Sequence, residues 1–97
     1  MHRYWIELEW EPYPWQREQD AIVIDGDWRP RRIGCTAWDL ADAALMVEEF
    51  FDDLRRDSLM AKTDFPTTVH IEVDVDVSTL SIRPETPPSH RGLWHRC

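Results

Sequence analysis

Residues 36–56 read TAWDLADAALMVEEFFDDLRR and form the most clearly periodic stretch of the chain. At 100° per residue one face of this stretch is apolar and the opposite face is mainly acidic, which predicts an amphipathic helix that covers a sheet. Thr36 followed by Asp39 is typical of a helix N-cap, and Arg55 with Arg56 suits the negative C-terminal end of a helix. The apolar stripe that we expect to face the sheet contains Leu40, Ala43, Ala44, Val47, Phe50, Phe51 and Leu54.

Two stretches on either side of this helix alternate with a period of two, which indicates a strand with one buried and one exposed face. Residues 4–11 alternate large apolar side chains with Trp5 and three glutamates. Residues 69–77 alternate valine and isoleucine with histidine and carboxylates, and they form the clearest strand of the chain. Leu80 and Ile82 suit a short further strand.

The stretch 21–28 leaves two alternatives open. One continuous strand with a bulge at Gly26 keeps the apolar side chains on one face. Alternatively, Asp25 and Gly26 form a two-residue hairpin turn, so that residues 27–33 become a separate strand with Pro30 at a sheet edge. The first alternative gives the cleaner apolar face.

This order of elements predicts a single small α+β domain over residues 1–83, because 97 residues suit one hydrophobic core. One helix is expected to pack on one face of a three- to four-stranded, mainly antiparallel sheet, in the order ββαβ or ββαββ. Three prolines within residues 84–88 end regular structure. Residues 84–97 are therefore predicted to be a proline-containing C-terminal tail.

Net charge, apolar runs and cysteine spacing indicate which partners and which compartment to expect. Nineteen acidic residues against eleven basic ones give a formal net charge of −8, which opposes direct binding to nucleic acid or anionic membranes. No apolar run approaches the roughly 18 residues of a membrane span, and Met1–Trp5 lacks the apolar stretch of a signal peptide. Cys35 and Cys97 have no metal-binding spacing, so both are expected to be free thiols. We therefore expect a cytoplasmic protein.

The motifs of common enzymes are missing from the sequence. It contains no Gly-x-Ser-x-Gly elbow and no His-Glu-x-x-His pair, and its three glycines do not form a phosphate-binding loop. His90, His95 and Cys97 follow no established zinc spacing. The sequence therefore predicts neither an enzyme nor a bound cofactor.

The alternation places many carboxylates on the sheet face opposite the helix. Like charges on neighbouring strands repel one another, at a cost of up to about 1 kcal/mol for each directly opposed pair. Such a face either keeps an open sheet soluble or binds a basic surface, with Trp5 as an apolar anchor. The carboxylates predicted to share it are Glu7, Glu9, Asp25, Asp27, Glu72, Asp74 and Asp76.

The leading hypothesis is a non-enzymatic protein that docks this acidic face on a basic or nucleic-acid-binding protein, including by nucleic-acid mimicry. In size and charge the chain resembles inhibitors such as antitoxins and phage-encoded anti-defence factors, which is an analogy of class.

Two further hypotheses use other residues. The first is self-association, including a homodimer, through an exposed helix patch of Trp38, Ala41 and Leu45. The loop aromatics Tyr13 and Trp15 either add to this patch or cover it. The second is a carboxylate site for a hard cation, at Glu72, Asp74 and Asp76 beside His70. These residues do not complete a calcium loop, because Val77 and Arg83 stand where its glycine and its distal glutamate belong.

Overall fold

The computed structural model describes residues 1–13 and 27–97. The predicted α+β class is confirmed, with one helix packed on an antiparallel sheet. In the described residues, a 3₁₀ turn at Val77–Thr79 lies between the last two strands. The elements are β1 (His2–Glu9), β2 (Arg32–Ala37), α1 (Leu40–Arg56), β3 (Thr68–Val73) and β4 (Gly92–Arg96).

The sheet has the strand order β3-β1-β2-β4, and every neighbouring pair is antiparallel. The predicted first strand is confirmed as β1, which is central and buries Tyr4, Ile6 and Leu8 on the helix side. Ile6 is opposite Ile33 on β2 and opposite Ile71 on β3. The core therefore lies between α1 and the middle of the sheet.

Of the two sequence alternatives for the second strand, only the separate strand over residues 27–33 falls within the described residues. Residues 21–26 lie outside the described residues, and residues 27–31 are not in a strand. β2 begins at Arg32, where Ile33, Cys35 and Ala37 alternate toward the core. The short side chains of this strand make its alternation weak in the sequence, which is why the prediction missed most of it.

The helix starts later than the sequence pattern suggests. Asp39, and not Thr36, is the N-cap, because its carboxylate accepts a 2.8 Å hydrogen bond from the backbone N–H of Asp42. Thr36 lies in β2, and its hydroxyl donates to the carbonyl oxygen of Pro88 at 2.5 Å. The predicted end at Arg55 and Arg56 is confirmed.

The C-terminal part of the chain also differs from the prediction. β3 ends at Val73, because Asp74 has a left-handed φ of 57° and breaks the alternation expected to run to residue 77. Leu80 and Ile82 are not in a strand. The fourth strand is Gly92–Arg96, which the sequence analysis placed in a tail. Trp94 anchors this strand, since its side chain is fully buried and its indole N–H lies 3.1 Å from the hydroxyl oxygen of Thr36.

α1 lies mainly over β2, and this position rotates the buried stripe away from the predicted one. Met46 is buried, whereas Leu40 is 51% exposed and Ala44 is exposed. One helix is about 10 Å wide and covers about two strands of a sheet. β3 consequently keeps its helix-side residues half exposed, at 50% for Val69, 36% for Ile71 and 55% for Val73.

In residues 1–13 and 27–97, no helix combines the length and the apolar character needed to cross a membrane.

Candidate functional site

The sheet face that points away from α1 carries a compact group of carboxylates, which we call the acidic face: Glu7 and Glu9 of β1 and Glu72 of β3. All three are exposed. They lie together because β1 and β3 are neighbours, with Glu7 directly opposite His70 and Trp5 opposite Glu72. Glu7 and Glu72 are thus diagonal neighbours on one face.

Two contacts organise the acidic face. The indole N–H of Trp5 donates to Oε1 of Glu7 at 3.1 Å, which orients that carboxylate along its own strand. Nε2 of His70 lies 3.7 Å from Oε1 of Glu72. The side chains of His70 and Glu72 both remain more than half exposed, so this part of the face is open to solvent.

Two of the predicted face residues lie beyond the end of β3. Asp74 accepts a 2.8 Å hydrogen bond from Nδ1 of His2, at the margin of the sheet. Asp76 caps the 3₁₀ turn, and hydrogen bonds from the hydroxyl and backbone N–H of Ser78 lower the pKa of its carboxyl. Their place on the face was a consequence of extending the strand to residue 77.

Asp27 does not lie on the acidic face, which corrects the sequence-based placement. Its carboxylate accepts from Nε of Arg29 at 2.9 Å, and both side chains are almost completely buried. The Arg29 guanidinium also donates to the carbonyl of Glu11 and lies 3.8 Å from the ring centroid of Tyr13. Asp27 therefore neutralises a buried arginine. Asp25, the other predicted acidic residue of this stretch, lies outside the described residues.

Trp5 is 5% exposed and does not stand free as an apolar anchor. Its ring stacks on Trp94 with the centroids 6.1 Å apart, and the ring of His95 lies 5.2 Å away. Burial lowers the pKa of His95. These aromatic rings form a small second core on the outer face of the sheet. Gly34 leaves room for Trp94, and this glycine within a strand is the feature of the sequence that could have indicated the second core.

The helix patch of Trp38, Ala41 and Leu45 is exposed, with Trp38 at 64% and Leu45 at 62%. Tyr13 lies elsewhere, because its hydroxyl donates to Oδ2 of Asp64 at 2.9 Å. Trp15 is outside the described residues. Trp38 precedes the N-cap Asp39, so only Ala41 and Leu45 of the predicted patch lie on α1, and Tyr13 does not belong to it.

Sequence reasoning missed an apolar groove between α1 and β3. In the described residues α1 lies over β2, and its width does not extend over β3 as well. The sequence predicts one helix for three to four strands, and this mismatch in width is the signal that would have revealed the groove. Its walls include Ile6, Leu8, Leu40, Ala44, Val47, Phe51, Val69 and Ile71.

Within residues 1–13 and 27–97, no three His, Cys, Asp or Glu side chains converge as they would around a metal ion. Comparison with protein-family models, with curated protein sequences and with solved structures finds no match to this chain. The surfaces described above are therefore the only basis for assigning a function.

Proposed function

We propose that this protein is a non-enzymatic binding protein that docks its acidic face on the basic surface of a protein partner. The observation that carries the proposal is that Glu7, Glu9 and Glu72 share one exposed sheet face on two hydrogen-bonded strands. Their mutual repulsion raises the free energy of the unbound fold, and a cationic partner relieves it.

Charge supports this partner class. The net charge of −8 gives a long-range attraction for cationic proteins, and the exposed carboxylates provide short-range contacts. Residues i and i+2 of a strand are about 6.8 Å apart, whereas one DNA strand carries a phosphate about every 3.4 Å. Glu72, Glu7 and Glu9 follow one another at this strand spacing, because Glu72 lies opposite Trp5 and the β3 residues opposite Glu7 and Glu9 are not acidic. The acidic face therefore has about half the charge density of one DNA strand. Nucleic-acid-binding proteins are proposed targets as one class of cationic protein, in the manner of an inhibitor, an antitoxin or a phage anti-defence factor.

Cysteine usage supports a cytoplasmic setting for this function. Cys35 is buried and Cys97 is exposed, and both are free. Free thiols are typical of a reducing compartment. We include the cytoplasm in the proposal on this ground.

The test is a pull-down from lysate of the native host at about 0.1 M salt, where the Debye length is about 10 Å. The face variant is the double substitution Glu7→Lys and Glu9→Lys. The matched control is Glu48→Lys and Glu49→Lys, which makes the same charge change at exposed positions of α1. Both variants are first checked for native circular dichroism.

The proposal predicts a basic protein that is retained by the wild type and by the α1 control, and that is reduced about tenfold or more on the face variant. Calorimetry with the purified partner then gives a Kd that weakens as salt is raised. Equal retention on the face variant contradicts the acidic face as the site. Equal loss on both variants assigns the effect to net charge alone, and the absence of any basic protein on the wild type contradicts the partner class.

A further inference from the structure

In the part of the chain that the structure describes, the outer edge of β3 combines unpaired backbone groups with apolar side chains. No strand of residues 1–13 and 27–97 pairs with this edge. The other edge of the sheet is partly covered, because the N–H of Glu85 donates to the carbonyl of Trp94 at 2.8 Å. Natural edge strands are usually blunted by lysine, proline or a bulge. Thr68–Val73 has neither lysine nor proline, and it pairs with β1 in unbroken register.

The hydrogen bonds of the neighbouring strands define which β3 groups face outward. The N–H of Leu8 donates to the carbonyl of Arg31 at 2.8 Å, beside β2. Backbone groups of an antiparallel strand alternate in direction, so the odd-numbered residues of β1 face β3. In β3 the residues opposite them are Thr68, His70 and Glu72. The N–H and C=O groups of the three residues Val69, Ile71 and Val73 therefore face outward.

We propose that β3 pairs antiparallel with β3 of a second copy of this chain, around a two-fold axis at Ile71. Directly opposed residues of an antiparallel pair lie on the same face, so the axis passes through a residue. An axis at Ile71 makes each copy's outward groups, at Val69, Ile71 and Val73, bond to those of the other copy. The two sheets then continue as one.

The pairing of His70 with Glu72 selects this register over its neighbours, because only this axis gives each glutamate a histidine as its hydrogen-bonding partner in place of a second glutamate. An axis at Glu72 would oppose two glutamates, and an axis at His70 would oppose two histidines. The axis at Ile71 places His70 opposite Glu72 of the second copy, and it does so twice by symmetry. His70 and Glu72 are both exposed on the same face in one chain, which leaves them available for these cross-strand contacts.

The apolar side of the strand supports the same arrangement. Val69 becomes the neighbour of Val73, and Ile71 becomes the neighbour of its own copy, on the face that α1 leaves bare. The helix patch lacks such a complementary pair, since the exposed residues Glu48, Glu49 and Asp52 on the same helix all carry the same charge. The second copy is thus placed on the edge of β3.

Disulfide trapping tests the register. In a Cys97→Ser background, the single substitutions Ile71→Cys, His70→Cys and Glu72→Cys are oxidised separately and separated on a non-reducing gel. Hydrogen-bonded antiparallel pairs have Cα atoms about 5.5 Å apart, within the range that a disulfide spans. We expect rapid dimer formation only for Ile71→Cys. Faster cross-linking at residue 70 or residue 72, or none at residue 71, overturns the proposed register.

Light scattering tests the association itself. At about 100 μM the wild type is expected to have the mass of two chains, Ile71→Lys that of one chain, and Leu45→Lys that of two chains. Leu45→Lys is the matched control, because it introduces the same charge at an exposed apolar position of α1. A wild type with the mass of one chain, or a dimer broken by Leu45→Lys and not by Ile71→Lys, overturns the proposal.

A series of substitutions at residues 70 and 72 tests the same register without changing Ile71. A folding defect of an Ile71 variant therefore cannot be mistaken for loss of the dimer. His70→Glu alone opposes two glutamates across the axis and is expected to weaken the dimer about tenfold or more, and Glu72→His alone opposes two histidines. The double variant His70→Glu with Glu72→His again places a histidine opposite each glutamate and should recover most of the affinity. A double variant that is no better than the single variants contradicts the pairing of residues 70 and 72.

Discussion

Gly34 is the residue at which the outer face of the sheet depends on the absence of a side chain. A Cβ atom at this position would lie 2.2 Å from Cζ3 of Trp94, well inside van der Waals contact. Trp94 is fully buried there and supports the ring of Trp5. A glycine in the middle of a strand otherwise weakens it, so its place here reflects the close approach of an aromatic ring.

Gly34→Ala is expected to destabilise the fold by about 1–3 kcal/mol, because the added methyl group forces Trp94 out of its position. Urea unfolding followed by tryptophan fluorescence measures the change. In the Gly34→Ala background, Trp94→Phe removes part of the overlapping ring, so the two substitutions together should cost less than the sum of their separate costs. Additive costs would contradict the steric explanation.

At the level of elements, Asp42 joins the start of α1 to Arg91, the residue immediately before β4. Its carboxylate accepts from Nε of Arg91 at 2.9 Å and from the backbone N–H of Trp38 at 3.0 Å. The hydrogen bond from Arg91, followed by that from Trp38, lowers the pKa of Asp42 below its usual 3.8. β4 is thereby tied both to β2 through its backbone and to α1 through this ion pair.

This lowered pKa makes the contribution of Asp42 depend on pH. Because the folded pKa lies below the unfolded one, the stabilisation is present above the usual pKa and is lost as pH falls through the folded pKa. The difference in unfolding free energy between the wild type and Asp42→Asn should be constant from about pH 5 to 8 and shrink below about pH 4. Urea titrations across pH measure it. In an Arg91→Gln background most of this pH dependence should disappear, and a difference that stays the same at every pH would contradict the assignment.

At the scale of the whole molecule, the two cysteines report on different parts of the fold. Cys35 lies in the core beneath α1 with no exposed surface, and Cys97 is exposed at the end of the chain. Burial, and then the charge of Asp42, raises the pKa of the Cys35 thiol to about 11. Thiolate is the reactive form, so Cys35 is protected both by access and by protonation.

We predict that one thiol reacts rapidly with a disulfide reagent in the folded wild type at about pH 8, and that none does so in Cys97→Ser. Reaction at Cys35 should follow unfolding of the whole domain, and both thiols should react at once in denaturant. Absorbance of the released reagent gives the count and the rates. Fast reaction of folded Cys97→Ser would contradict the burial of β2 beneath α1.

The proposed partner site and the proposed dimer use different surfaces of the same sheet. Pairing of β3 with its copy would bring two acidic faces side by side near the centre of one extended sheet. Glu7 and Glu9 lie on β1, away from the paired edge, so substitutions there test partner binding. Ile71 lies on the helix side of β3, which carries no carboxylate, so a substitution there tests the dimer. Loss of either activity can thus be assigned to its own surface.

The acidic face was only partly predictable from sequence. Glu7, Glu9 and Glu72 follow the alternation of β1 and β3, and period-two alternation is visible in the order of residues. Asp74 and Asp76 were misplaced because a left-handed residue at position 74 ends the strand, and aspartate itself tolerates that conformation. Asp27 was misplaced because its partner, Arg29, is buried by aromatic residues that the sequence does not mark as neighbours.

Hydrophobic periodicity is a local property of the chain, so the amphipathic helix, β1, most of β3 and the α+β class follow from the order of residues alone. The pairing of Gly92–Arg96 with β2 and the exposure of the helix-side residues of β3 follow only from the folded structure. Both depend on contacts between distant residues: Trp94 needs the space above Gly34, and α1, which lies over β2, is too narrow to cover β3 as well.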